Sequence, residues 1–145
     1  MTSVSKEEEI RKLSIEMRLL EQTAESLQQR ISVVTTAMTD LTYANMALES
    51  IEKEKENAEL LVPIGGSSYI KVKLANSEKV IVGMGAGVSI EKTLPETKAI
   101  VKQRLEELEK AMRSAQQQFG QVAQRINASR SRLESLLATV RKGTA

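Results

Sequence analysis

Leu60-Leu61-Val62-Pro63-Ile64-Gly65-Gly66-Ser67-Ser68-Tyr69-Ile70-Lys71-Val72-Lys73-Leu74 and, a few residues on, Lys79-Val80-Ile81-Val82-Gly83-Met84-Gly85-Ala86-Gly87-Val88-Ser89-Ile90-Glu91-Lys92 decide how this chain folds. Five of its seven glycines fall here, and its two prolines, Pro63 and Pro95, bracket the stretch. No long helix crosses such a segment. Ile70, Val72 and Leu74 alternate with Lys71 and Lys73, the period of a half-buried strand, and Val88-Ser89-Ile90-Glu91 alternates again. The reading is four short strands, 60–64, 68–74, 79–84 and 87–92, forming two hairpins with a turn at Ala75-Asn76-Ser77-Glu78 between them. Pro63 has no N–H for a ladder, so its strand lies at an edge or a bulge. Two isolated hairpins are marginal in water and leave edges unpaired, so this connector is expected to pair with other chains.

Outward from the connector lie two arms, residues 5–59 and 94–142, with the connector at 60–93 and the whole of 1–145 read as a single domain. In the first arm, Ile10, Leu13, Met17, Leu20, Ala24, Leu27, Ile31, Val34, Met38, Leu41, Asn45 and Leu48 recur in alternating steps of three and four. In the second, Val101, Leu105, Leu108, Met112, Ala115, Phe119, Val122, Ile126, Ser129, Leu133, Leu136 and Val140 do the same. A period of 3.5 sustained this long keeps one stripe of a helix against a partner helix. Each seam covers roughly 60 Å at about 1.5 Å per residue. Ser5 with Glu8 and Thr93 with Glu96 have capping-box spacing, and Arg141, Lys142 and Gly143 read as a helix end. Gly120 is a soft point inside the second arm.

Residues 1–60 carry seven basic and twelve acidic side chains, net −5; residues 94–145 carry ten and five, net +5. Opposite signs favour an antiparallel hairpin of the two arms within one chain; parallel pairing between two chains is the competing arrangement. The fold class is therefore mainly α with a small β region, an antiparallel two-helix coiled-coil hairpin joined by two β-hairpins.

Across 145 residues, aromatic residues amount to 2%, too few for a compact globular core, while 41% are hydrophobic. The chain has no Cys and no His, which excludes thiol nucleophiles, disulfides, the usual zinc sites and imidazole catalysis. A net charge of +2 does not point to nucleic acid. No apolar leader opens the sequence and no window approaches the ~18 apolar residues of a membrane span, so the expected location is cytoplasmic. Gly83-Met84-Gly85-Ala86-Gly87 has the wrong spacing for a dinucleotide loop and precedes a strand; tight turning explains it better. Glu52, Glu54, Glu56 and Glu59 read as a solvated helix end rather than a metal or acid–base cluster. Asn127-Ala128-Ser129 is a sequon in the middle of a helix, and Asn45 and Ser129 read as register-setting polar residues in the seam. No catalytic group, cofactor or metal is expected.

Apolar residues off the seam are the remaining signal. With Ile10 and Leu13 at a and d, Ile15 falls at f and Leu19 at c, and Leu137 falls at e beside Leu133, Leu136 and Val140. Antiparallel pairing would gather these at the end remote from the connector. Scattered exposed aliphatics are ordinary, but a greasy free end also suits an adhesive tip for apolar segments of other proteins.

Long helix, four-strand connector and long returning helix together resemble a prefoldin alpha-type subunit. The resemblance is carried by Leu61-Val62-Pro63-Ile64-Gly65-Gly66-Ser67-Ser68-Tyr69-Ile70 and Val80-Ile81-Val82-Gly83-Met84-Gly85-Ala86-Gly87-Val88. It implies an ATP-independent chaperone subunit, two alpha with four beta subunits in a heterohexamer, whose hairpins form an intersubunit β-barrel and whose coiled-coil tips pass non-native clients to a group II chaperonin. It places assembly on Leu61, Val62, Ile64, Tyr69, Ile70, Val72, Leu74, Val80, Val82, Met84, Val88 and Ile90. It places client binding on Ile10, Leu13, Ile15, Met17, Leu19, Leu20, Leu133, Leu136, Leu137 and Val140. A coiled-coil scaffold or filament subunit that binds no client is the alternative; nucleic acid and membrane are not expected partners.

Overall fold

The computed structural model describes residues 3–76 and 78–144. In chain order the elements are α1 (Ser3–Glu52), β1 (Glu59–Gly65), β2 (Ser68–Lys73), β3 (Lys79–Gly85), β4 (Val88–Thr93) and α2 (Leu94–Thr144). They form two compact units, Met1–Thr36 with Lys110–Ala145, and Ala37–Glu109.

In the first unit α1 and α2 pair through the heptad stripe. Leu20, Leu27 and Val34 of α1 and Ala115, Ser129 and Leu136 of α2 are buried, and every other seam residue of this unit is at least half-buried. Full burial of an aliphatic side chain stabilises by about 1.5–3 kcal/mol, so the seam holds the pair together. Arg132 donates from Nε and Nη2 to Glu9 Oε1 at 3.1 and 2.9 Å, and Arg125 Nη2 lies 3.5 Å from Glu16 Oε1. The two rungs are seven residues apart and run in opposite directions along the helices, so the pairing is antiparallel. These exposed pairs contribute at most ~1 kcal/mol each and act chiefly on register. Polar residues of α1 here are satisfied locally: the Ser14 and Thr23 hydroxyls donate to the carbonyls of Ile10 and Leu19.

In the second unit Leu48, Leu94 and Val101 form a buried cluster, with Leu41, Leu105 and the β3 residue Val80 packed on it. Lys98 Nζ donates to Glu52 Oε2 at 2.7 Å. The hydrogen bond to Glu52 is the main reason the Lys98 ammonium is held above its ordinary pKa; partial desolvation opposes this, and the charges of Glu52 and Glu49 reinforce it. The two hairpins, β1–β2 and β3–β4, are separate antiparallel two-stranded sheets. The Thr93 cap forms as expected: its Oγ1 accepts from the Glu96 N–H at 3.3 Å, one turn into α2.

Three helix boundaries differ from the sequence expectation. The first helix ends at Glu52 rather than 59, although the residues beyond are good helix formers. Its last turn tightens through Lys53 N–H to Ser50 O and Glu54 N–H to Ile51 O. Asn57 then turns the chain at φ 65° and donates to Leu74 O, so hairpin pairing captures the backbone before the helix can continue. Glu54 and Glu56 consequently lie in this connection and Glu59 opens β1, so the four glutamates share no helix end. Ser5 lies inside α1, which begins at Ser3, so Ser5 and Glu8 do not cap it. Gly143 does not stop α2, which runs on to Thr144. In the inter-hairpin turn, Asn76 Oδ1 accepts from the Glu78 N–H at 2.8 Å, while Ser77 lies outside the described residues.

Candidate functional site

The two hairpins are copies of one template displaced by twenty residues. Glu59↔Lys73, Leu60↔Val72, Val62↔Ile70, Pro63↔Tyr69 and Gly65↔Ser68 become Lys79↔Thr93, Val80↔Lys92, Val82↔Ile90, Gly83↔Ser89 and Gly85↔Val88. Both ladders slip at the same place, between Pro63 and Gly65 and between Gly83 and Gly85. Both turns have positive φ at their two central residues, Gly66 (55°) and Ser67 (60°), Ala86 (52°) and Gly87 (76°), as the right-handed strand twist requires of a two-residue loop.

Residues directly opposite in a ladder share a face. One face of the first hairpin therefore carries Leu60, Val62, Ile70 and Val72, and the equivalent face of the second carries Val80, Val82, Ile90 and Lys92. In the second hairpin this face sits on the helices. Val82 is only 7% exposed, and Arg104 of α2 donates from Nη2 to Gly83 O at 2.9 Å. In the first hairpin Val62 is 41% exposed and Ile70 50%. Leu61, Ile64, Tyr69, Met84 and Val88 are also exposed, Ile90 narrowly so; Val72, Leu74 and Val80 are half-buried. The structure thus leaves eight of the twelve expected assembly residues exposed and Val72 and Leu74 half-buried, and commits Val80 and Val82 to the chain's own packing. Ile81, pointing away from Val80 and Val82 and opposite Glu91, is among the most exposed aliphatics and lies outside the expected assembly set. Its position one step out of the β3 alternation was the available signal. Beside it runs an apolar groove of ≈ 350 Å³ walled by Leu41, Ala44, Leu48, Ile51, Val80 and Val101.

The expected client-binding residues divide. Leu20 and Leu136 are buried in the seam, and Ile10, Leu13, Met17, Leu133 and Val140 are half-buried there. Ile15, Leu19 and Leu137 project off it and are exposed. Ile15 and Leu19 are one helical turn apart on one face of α1. Leu137 lies beyond the Glu9–Arg132 rung, whereas Ile15 and Leu19 lie by the Glu16–Arg125 rung, so the three do not make one patch. Leu19 lines a crevice of ≈ 430 Å³ with Gln22, Thr23, Ser26, Leu27, Arg30 and Gln118. Tyr43 and Met46, exposed on α1 in the second unit, are further apolar groups that the heptad reading passed over.

A long helical pair with two β-hairpins between the helices matches the Prefoldin subunit family model over residues 20–142. The chain belongs to the prefoldin family. It is similar to the prefoldin alpha subunits of Methanococcoides burtonii, 32% identical over 86% of this chain and 90% of that one, and of Methanosarcina barkeri, 35% identical over 77% and 79%. Among solved structures, filamentous PFD from Methanocaldococcus jannaschii superposes with a TM-score of 0.66 at 20% identity, covering 79% of this chain and 95% of that one. The prefoldin beta subunit from Thermococcus strain KS-1 superposes at 0.58 and 14% identity, over 88% and 90%. Prefoldin is a chaperone family with no known catalytic activity. No described helix is long and apolar enough to cross a membrane.

Proposed function

We propose that this chain is the alpha-type subunit of a cytoplasmic prefoldin heterohexamer, two alpha with four beta, and acts as an ATP-independent holdase that hands clients to a group II chaperonin. The observation that carries the reading is the uncovered apolar face of the first hairpin. A two-stranded sheet that leaves Val62 and Ile70 in water is stable only when another surface covers it. Neighbouring hairpins closing into a barrel would cover that face and remove the open strand edges together. A non-native client lowers its free energy by burying apolar segments against Ile15, Leu19 and Leu137, with Leu19's crevice accepting a side chain. Each contact is small and weak, and several subunits on one platform make the hold multivalent, leaving it open to competition by a chaperonin.

The test is light scattering of the chain alone and mixed with a beta-type subunit, followed by aggregation suppression without ATP. A discrete two-to-four species that protects a denatured client is expected. The double variant Ile15→Ser/Leu19→Ser should assemble normally and protect poorly; loss of assembly in that variant would overturn the division of labour. The likeness to a filamentous relative supports a second reading, a coiled-coil scaffold or filament subunit. That reading predicts polymers of the chain alone, with no protection of clients.

A further inference from the structure

We propose that Arg30, at one end of the crevice beside Leu19, binds an acidic side chain of a non-native protein segment whose neighbouring aliphatic is held by Leu19 and Leu27; the proposal deepens the client reading above and rests on it. The antiparallel ladder explains why a free cation stands there. Glu9 faces Arg132 and Glu16 faces Arg125. Seven residues further along each helix, in opposite directions, Thr23 comes opposite Gln118 and Arg30 opposite Ala111. The first two rungs close as ion pairs. The third stays open because both members turn back along their own helices: the Thr23 hydroxyl donates to Leu19 O at 3.0 Å, and Gln118 Nε2 donates to Ser114 Oγ at 3.3 Å. The fourth has no closing group, since the Ala111 methyl offers no acceptor to a guanidinium.

Two open rungs in succession leave the crevice of ≈ 430 Å³, with buried Leu27 among its walls. None of its lining residues is acidic, and among the described residues no carboxylate pairs with Arg30. A guanidinium presents paired N–H donors that match a carboxylate, and apolar walls beside it strengthen such a bond. At about 1.5 Å per residue the eleven positions from Leu19 to Arg30 cover roughly 16 Å, less at the Arg30 end because helical side chains lean towards the N-terminus. About four residues of extended chain span that distance. The occupant that fits is therefore an extended, non-native segment carrying an aliphatic side chain about four positions from an Asp or Glu. Charge points the same way. Residues 1–36 and 110–145 together carry twelve basic and seven acidic side chains, net +5, whereas residues 37–109 carry nine and twelve, net −3.

Two labelled, unstructured peptides test this on the complex formed with a beta-type prefoldin subunit, read by fluorescence anisotropy at low salt. One carries Leu and Glu about four positions apart; the other has Gln in place of Glu. The wild-type complex should bind the Glu peptide about fivefold more tightly. Arg30→Ala should bring the two peptides to parity, and Arg30→Glu should reverse their order. Ala111→Glu supplies the missing rung partner and should erase the preference with Arg30 still in place. Arg113→Ala removes a cation outside the crevice and should leave the preference intact, while Leu19→Ser should weaken both peptides by the same factor. Equal binding of the two peptides by the wild type, or tighter binding of the Gln peptide, gives the crevice to uncharged segments and overturns the proposal. A preference that survives both Arg30→Ala and Ala111→Glu places acid recognition elsewhere and overturns it too. An assembled complex that binds neither peptide and protects no denatured client overturns the client reading itself.

Discussion

The first and second hairpins share register, bulge and turn geometry, yet Val82 of the second is buried while its counterpart Val62 is in water. Local sequence therefore specifies a hairpin, and what the hairpin leans on is decided elsewhere. The second hairpin leads directly into α2 through the Thr93 cap, so its strands are delivered onto Leu48, Leu94 and Val101, and Arg104 reaches back to secure it. The first has no such tether, and Val72 stands where the second hairpin carries Lys92. The more apolar copy is the less covered one, the reverse of what folding of an isolated chain would favour and the pattern expected of a surface reserved for a partner.

The comparison breaks if the two copies respond alike to truncation. Val82→Ala should destabilise the isolated chain by about 2 kcal/mol, and Val62→Ala by under about 0.5 kcal/mol while weakening assembly; urea melts of the two variants check this. Arg104→Ala should remove about 1 kcal/mol and, by freeing the Gly83 carbonyl, produce concentration-dependent self-association in sedimentation runs. Gly120→Ala is a reference outside both hairpins. A Cβ there meets nothing within 4 Å, so the variant should gain up to about 1 kcal/mol and leave assembly untouched.

The turns sharpen the equivalence of the templates. Ser67→Gly and Ala86→Asn each place a residue tolerant of positive φ where a less suitable one stands, and each should raise stability by roughly 0.5 kcal/mol. Unequal gains would show that the turns are not equivalent. The smallest effect belongs to Lys98. Its pKa is raised in the folded chain, so the bond to Glu52 contributes fully below the ordinary value of 10.5 and is lost as pH rises through the folded value. Glu52→Gln should flatten that alkaline decline in melts taken across the range.

Much of this was legible beforehand. All twenty-four seam residues are buried or half-buried, because a 3.5 period maintained over both arms leaves one consistent face to cover. Strand ends fall within a residue or two of expectation, since Gly and Pro punctuate them and alternation runs between. The end of α1 was not legible: Glu52 to Lys55 favour helix, and only the backbone bond from Asn57 to Leu74, distant in sequence, ends it. The division of the apolar tip residues was half legible, in that heptad position separates Ile15, Leu19 and Leu137 from the seam. Their distribution about the ion-pair rungs depends on interhelical register, which no single arm contains. Likewise, nothing in β3 announces that the Gly83 carbonyl is taken, because its donor is a side chain twenty-one residues away.

The twenty-residue displacement carries a consequence for how many neighbours such a subunit can hold. Ala58 and Glu78 occupy equivalent places, their carbonyls accepting from Leu74 and Leu94. Excising residues 59–78 would join Ala58 to Lys79 and offer the Ala58 carbonyl to Leu94 in place of that of Glu78. The chain would keep both helices and one complete hairpin, and in the proposed assembly would offer its neighbours one hairpin instead of two. A two-hairpin chain and a one-hairpin chain thus differ by one removable cassette.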